Sequence, residues 1–154
     1  MSESHLVTIA KAVVASINSD EAQDGFVIPF VSERAYIARR NKDEMQHGNA
    51  YVDVLHDGET TALADRESSA IIDFAIQIAI RGVVLAEGGQ DSIEIMDRYV
   101  LLAEQIKDYL RNNALLNGVA LFRIDHDSIF DDATMSEHNV FLTGPVFIFR
   151  AQRS

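Results

Sequence analysis

The chain has 154 residues, a formal charge of −11 from 24 acidic against 13 basic side chains, and no cysteine. That length suits one domain able to bury its own core without staples. The missing thiols exclude a disulfide framework, a thiolate zinc site and a thiolate-held iron–sulfur cluster. The acidic balance argues against a free DNA-binding domain, which carries a basic patch. With 47% hydrophobic residues the composition is that of a globular protein. Apolar runs fall well short of the ~20 residues of a spanning helix. The opening "MSESHLVTIAKAVVASINSDE" lacks a basic leader, so a soluble, cytosol-made protein is expected.

Taken in chain order, Leu6, Ile9, Ala10, Val13, Val14 and Ile17 recur at three- and four-residue steps, which predicts a helix over Ser4–Asn18. "NSDEAQDG" ends it with turn-forming residues. A first strand is expected over Phe26–Tyr36, at an edge or bulged, because Pro29 lacks an N–H. "ARRNKDEMQHGN" breaks it, and Ala50–Leu55 reads as the second strand. "HDGETTALADRESS" then reads as a long polar connection.

The third strand is the most regular. In "AIIDFAIQIAIR", Ile72, Phe74, Ile76, Ile78 and Ile80 share one face, and Ile71, Asp73, Ala75, Gln77, Ala79 and Arg81 share the other. A second helix is expected over Ser92–Asn113, with Asp91 at its N-cap and Glu94 three residues on. Its apolar side is Ile93, Met96, Val100, Ala103, Ile106 and Leu110. Strands four and five fall at Val119–Asp125 and Val140–Arg150, the latter bent or bulged at Gly144-Pro145. The expected fold is α+β, in the order α-β-β-β-α-β-β. Two helices pack on a mainly antiparallel or mixed five-stranded sheet in a single domain over residues 1–154.

Chemistry is hard to place on this frame. Gly88-Gly89 is the only adjacent glycine pair, and there is no phosphate-loop or GxGxxG pattern. The histidines His5, His47, His56, His126 and His138 make no HExxH motif. "DHDSIFDD" has Ile129 and Phe130 where a calcium loop needs an oxygen ligand and a glycine, so it reads as a solvated acidic loop. No GxSxG elbow is present. Asp53 lies between Val52 and Val54 and is read as facing solvent on an alternating strand, with a buried acid as the lesser alternative. No catalytic, cofactor or metal residue is assigned.

Against the acidic background, Arg34, Arg39, Arg40 and Lys42 form one local basic cluster. They either pair with Glu33, Asp43 and Glu44 or dock onto an acidic neighbour. Arg66, between Asp65 and Glu67, is a second such position.

The whole arrangement resembles the tail-terminator and neck proteins of tailed bacteriophages. The likeness rests on the order of four pieces. These are the opening helix "HLVTIAKAVVASIN" with "FVIPFVSERAYIARRNKDEM", then "AYVDVLHDG" with "ETTALADRESS" and "IIDFAIQIAIRG", then the helix "DSIEIMDRYVLLAEQIKDYLRNN", then the closing "NVFLTGPVFIFRAQR".

The resemblance implies a non-enzymatic virion protein of the head–tail connection, assembled in the host cytoplasm and without a cofactor. It implies self-association into a ring, typically a hexamer. The ring would cap the tail tube protein and meet a head-side connector or stopper protein, with DNA passing transiently through its lumen and no membrane involved. A stopper or head-completion protein is the nearest alternative. An acidic monomeric inhibitor or interaction module, and an enzyme with an unrecognised carboxylate site, are the readings from other classes.

On the assembly reading, the segments His56–Ser69 and Arg39–Gly48 make the contacts. The candidates are Arg34, Arg39, Arg40, Lys42, His56, Asp57, Glu59 and Arg66. Charge reversal at Arg39 and Arg40 is expected to weaken assembly and leave the monomer folded.

Overall fold

The computed structural model describes residues 3–37, 45–46, 48–63, 70–84, 90–126, 131 and 140–153. The elements are α1 (His5–Ile17), α2 (Asp20–Gly25), β1 (Ser32–Ala35), β2 (Tyr51–Leu63), β3 (Ala70–Val83), α3 (Gln90–Asn112), β4 (Val119–Asp125), β5 (Val140–Thr143) and β6 (Val146–Arg153). The class is α+β, as expected. The sheet order is β1-β2-β3-β6-β4, with β5 also paired to β3. The β1–β2 pair is parallel and every other pair is antiparallel, so the sheet is mixed.

The alternation of β3 decides which side becomes the core. Ile72, Phe74, Ile76, Ile78 and Ile80 are all buried, three of them with no exposed surface. Val52 and Val54 of β2 pair on their rows, as do Phe147 and Phe149 of β6. Onto this face α1 brings Ile9, Ala10, Val13 and Ile17, and α3 brings Tyr99, Leu102, Ala103, Ile106 and Leu110.

The α1 ends match the sequence reading. Ser4 accepts from the Val7 N–H at the N-cap, and Asn18 closes the C-terminus. In α3 the expected positions Met96, Val100, Ala103, Ile106 and Leu110 pack on the core, Tyr99 and Leu102 join them, and Ile93 is exposed instead. The helix begins at Gln90, so Asp91 lies inside its first turn and cannot be the N-cap.

Three further differences have local causes. "NSDEAQDG" is not only a turn. Ser19 caps α2 by accepting from the Ala22 N–H at 3.2 Å, and Asp20 and Glu21 occupy its first turn. The first strand shrinks to Ser32–Ala35, leaving Pro29 outside it. The expected fifth strand is two, because Pro145 has no N–H to give the ladder. The register to β3 nevertheless runs on unshifted from Thr143 opposite Ile80 to Val146 opposite Gln77. The Pro145 carbonyl still accepts from the Ile78 N–H at 3.0 Å. Thus β5 and β6 fill one position, and five strand positions make the sheet.

The outer rim of β1 is closed by a side chain. Asn18 Oδ1 accepts from the Ser32 N–H (2.8 Å) and hydroxyl (2.9 Å), while its Nδ2 donates to the Ser32 carbonyl (3.0 Å). An amide thus stands where another strand would pair. Asn18→Ala strands the backbone groups of a residue only 3% exposed. The expected cost is about 2 kcal/mol or more, read as a lowered denaturant midpoint with an unchanged slope.

Candidate assembly surfaces

Bulges decide where the surface side chains go. In β2 the register shifts between His56 and Gly58, so Asp57 is an extra residue. Beyond it the strand continues to Leu63, paired with Ala70. The segment from His56 to Leu63 is therefore strand and not the connection expected from its polarity. In β4 the shift lies between Leu121 and Arg123, making Phe122 the extra residue.

The face of the sheet away from α1 and α3 carries paired charges. Arg81 Nη2 donates to Asp53 Oδ2 at 3.1 Å. Asp53 is only 7% exposed, so it is not a solvent-facing residue. Its partner sits two rows away on β3, out of reach of any local reading. Arg150 grips Asp73 with two bonds, Nε to Oδ1 at 2.7 Å and Nη2 to Oδ2 at 3.0 Å. The Phe122 ring lies 3.5 Å from the Arg150 guanidinium carbon, so the bulge delivers an aromatic face to a cation. Arg123 Nε donates to Asp125 nearby. None of these pairs was singled out from sequence, although the β3 alternation did place Asp73 and Arg81 on this face.

Hydrogen bonds from Arg150 hold the Asp73 carboxyl below its ordinary range, with partial burial opposing them. A depressed carboxyl stabilises the fold above its unfolded pKa and loses that contribution as pH falls through the folded value. Asp73→Asn is therefore expected to lower the thermal midpoint at neutral pH. It should also shrink the further drop seen between about pH 5 and about pH 2. Melting curves of both proteins across that range check this.

Of the sequence candidates, Arg34 and His56 come together. Arg34 Nη1 donates to His56 Nε2 at 3.2 Å. The Tyr36 ring lies against the imidazole, tilted by 32° with centroids 4.3 Å apart. Burial first, and then the Arg34 charge, pushes the His56 pKa down. Asp57 and Glu59 are exposed beside this group. Arg39, Arg40, Lys42 and Arg66 lie outside the described residues, as do Asp43 and Glu44. Of the basic cluster, the described residues include Arg34 alone, and it bonds an imidazole. Val31, Tyr36 and Ile37 add exposed apolar surface around β1.

On α3, Glu94, Asp97, Leu101, Glu104 and Asp108 are all exposed. Their steps of three and four residues put them on one stripe roughly 20 Å long. The signal lay in the sequence as heptad spacing, but it was masked by the even spread of acids along the chain. Beneath the helix, Lys107 Nζ donates to His126 Nδ1 (3.0 Å). His126 Nε2 is then left to donate to the buried Thr143 hydroxyl (2.6 Å). The imidazole is thereby a linker between α3 and the sheet and has no free lone pair for base catalysis. Among the described residues no group of His, Asp or Glu side chains has the arrangement of a metal site. No described helix is long and apolar enough to cross a membrane.

No protein-family model matches this sequence, and no curated protein does. Solved structures do. A chain in the virion of a native gene transfer agent (GTA) particle superposes with a TM-score of 0.55 at 14% identity, covering 98% of this chain and 100% of that one. At that identity the likeness is one of fold, and it extends over the full length of both chains.

Proposed function

We propose that this chain is a non-enzymatic virion protein of a phage-like particle, and specifically a ring subunit of the neck that caps the tail tube. The observation that carries the reading is the full-length fold shared with a chain of a gene transfer agent virion. A match over 98% of this chain and 100% of that one supports a common structural task.

The surface chemistry agrees. The sheet's outer face neutralises its own charges in the Asp53–Arg81 and Asp73–Arg150 pairs. Such a face can lie against a neighbour without leaving unpaired ions. The acidic stripe of α3 suits the wall of a DNA channel, because binding DNA needs cations and this stripe repels phosphate. Tail tube protein and a head-side connector or stopper are the partners on this reading, and the site of action is the virion.

The test is the mass of the purified chain by light scattering, alone and mixed with tube protein, followed by electron microscopy of any complex. A closed ring, or a ring formed on the tube end, is expected. A chain that stays monomeric in both conditions overturns the reading.

The α3 stripe also favours a second reading, an acidic module that imitates nucleic acid. That protein would act as a monomer or dimer and would compete with DNA for a basic partner.

A further inference from the structure

The sheet consists of two staggered halves. In one, β1, the first part of β2, the end of β3 and β5 lie side by side. In the other, the row runs β2 (Gly58–Leu63), β3 (Ala70–Ala75), β6 and β4. In the first half the Asn18 amide occupies the outer side of β1 at Ser32. The second half has two long edges that pair with no other strand among the described residues. These are β2 beyond its bulge, and β4.

The two edges fit one another in four respects. Adjacent strands in this half all alternate in direction, so β2 and β4 run oppositely and would pair antiparallel if two copies met side by side. Gly58–Leu63 and Val119–Arg123 are of similar length, and Gly58–Thr61 share four rows with Val119–Arg123. Ala120, Arg150, Asp73 and Thr60 lie on one row. Leu121, Phe149, Phe74 and Glu59 lie on the next. The bulges at Asp57 and Phe122 fall on either side of the row formed by Gly58, Ala75, Ile148 and Arg123, so both edges twist at one level.

Charge is complementary as well. Asp57 and Glu59 are exposed and make no ion pair among the described residues. Arg123 on the opposite edge, bonded to Asp125, keeps about half of its side chain in solvent, 54%.

The geometry points to edge-to-edge joining of copies, with β2 (Gly58–Leu63) of one copy pairing antiparallel with β4 (Val119–Arg123) of the next. This contact is heterologous, using two different surfaces of each copy, and so it closes into a ring when the rotation fits. Main-chain hydrogen bonds supply the affinity, and the bulges and charges supply the register. The inference rests on the ring reading above and names the surface that makes the ring.

The chain has no cysteine, which makes the contact directly readable. Thr60 and Ala120 share a row, so in an unsheared joint their Cβ atoms come about 4.5–5.5 Å apart, close to disulfide reach. The double variant Thr60→Cys/Ala120→Cys, oxidised and run without reductant, is expected to give a ladder of covalent multiples. Each single variant should stay uncrosslinked. Dimers from either single variant would mean a two-fold contact and overturn the pairing. A ring mass by light scattering with no ladder overturns the pairing and leaves the ring reading in place. Monomer mass with no ladder, both alone and with tube protein, overturns both.

Hydrogen exchange on the unmodified chain needs no variant to fold. The amides of Gly58–Leu63 and Val119–Arg123 should slow together when the ring forms. Unchanged exchange in both segments of an assembled ring rejects the inference.

Discussion

Ile76→Asp is expected to yield no folded protein, seen as loss of the cooperative thermal transition and of soluble material. Ile76 has no exposed surface and sits mid-strand on β3, between Phe147 of β6 and His56 of β2. The change removes about 1.5–3 kcal/mol of apolar burial. It also sets a carboxylate in the core without a partner, which costs several kcal/mol more even after protonation. A domain of this size holds about 5–15 kcal/mol in total. Asp73, three residues earlier on the same strand, shows what a carboxylate here requires. It faces the other side of the sheet and is held by both arms of Arg150. A native-like melt of Ile76→Asp would mean that the core lies on the wrong side.

Gly82→Ala is expected to destabilise by ~3 kcal/mol, at the upper end of what overpacking costs. A methyl at this position would stand 2.1 Å from Tyr99 Cζ and 2.3 Å from its hydroxyl oxygen. Both are overlaps that no rotamer change at residue 82 relieves. The ring has nowhere to go. Tyr99 is fully buried, stacked on Phe141 at 5.3 Å, and its hydroxyl donates to the Asn49 carbonyl at 3.0 Å. The same burial raises the phenol pKa to about 12.

Gly82 is thus the socket by which α3 seats on β3. Its φ is unremarkable, and the lack of a side chain is what matters. Tyr99→Ala alone is expected to cost about 3–5 kcal/mol through the cavity it opens. With the ring gone, the alanine at 82 should cost little. Denaturant midpoints of the two single variants and the double variant then give a coupling of ~2 kcal/mol or more. Strict additivity would show that ring and glycine do not meet.

Some of this architecture was legible from local pattern. The caps of α1 lie where serine and asparagine flank an apolar stripe, so its limits match the expected ones to a residue. The limits of β4 agree with the expectation, and β3 with its core face was evident from ten residues of strict alternation. The last strand was read as one bent piece, and its unshifted register along β3 shows why that is nearly right.

Elsewhere the signal was short or misleading. Six residues of α2 hold too few turns to show a period. The far half of β2, "DGETTAL", looks like loop because it is polar and its alternation changes phase at the Asp57 bulge. The assembly candidates were chosen by charge along the chain, which cannot tell a cluster in sequence from one in space. Arg34 proved to sit on His56 across two strands, while the ion pairs of the sheet's outer face join residues 28 and 77 positions apart.

By itself, then, the sequence determined the α+β class, the two long helices, the core face of the central strand and the acidic character of the surface. Each of these follows from side-chain polarity repeating at the period of its own backbone, which is a local property. Only the tertiary structure decided how far β2 extends, how Tyr99 of α3 seats on Gly82, that Asp53 is buried against Arg81, and which sheet edges pair with no other strand among the described residues. Those features take their stability from partners distant in the chain. A bulge, a glycine socket or a buried ion pair has no energy of its own until the neighbouring strand or helix is in place.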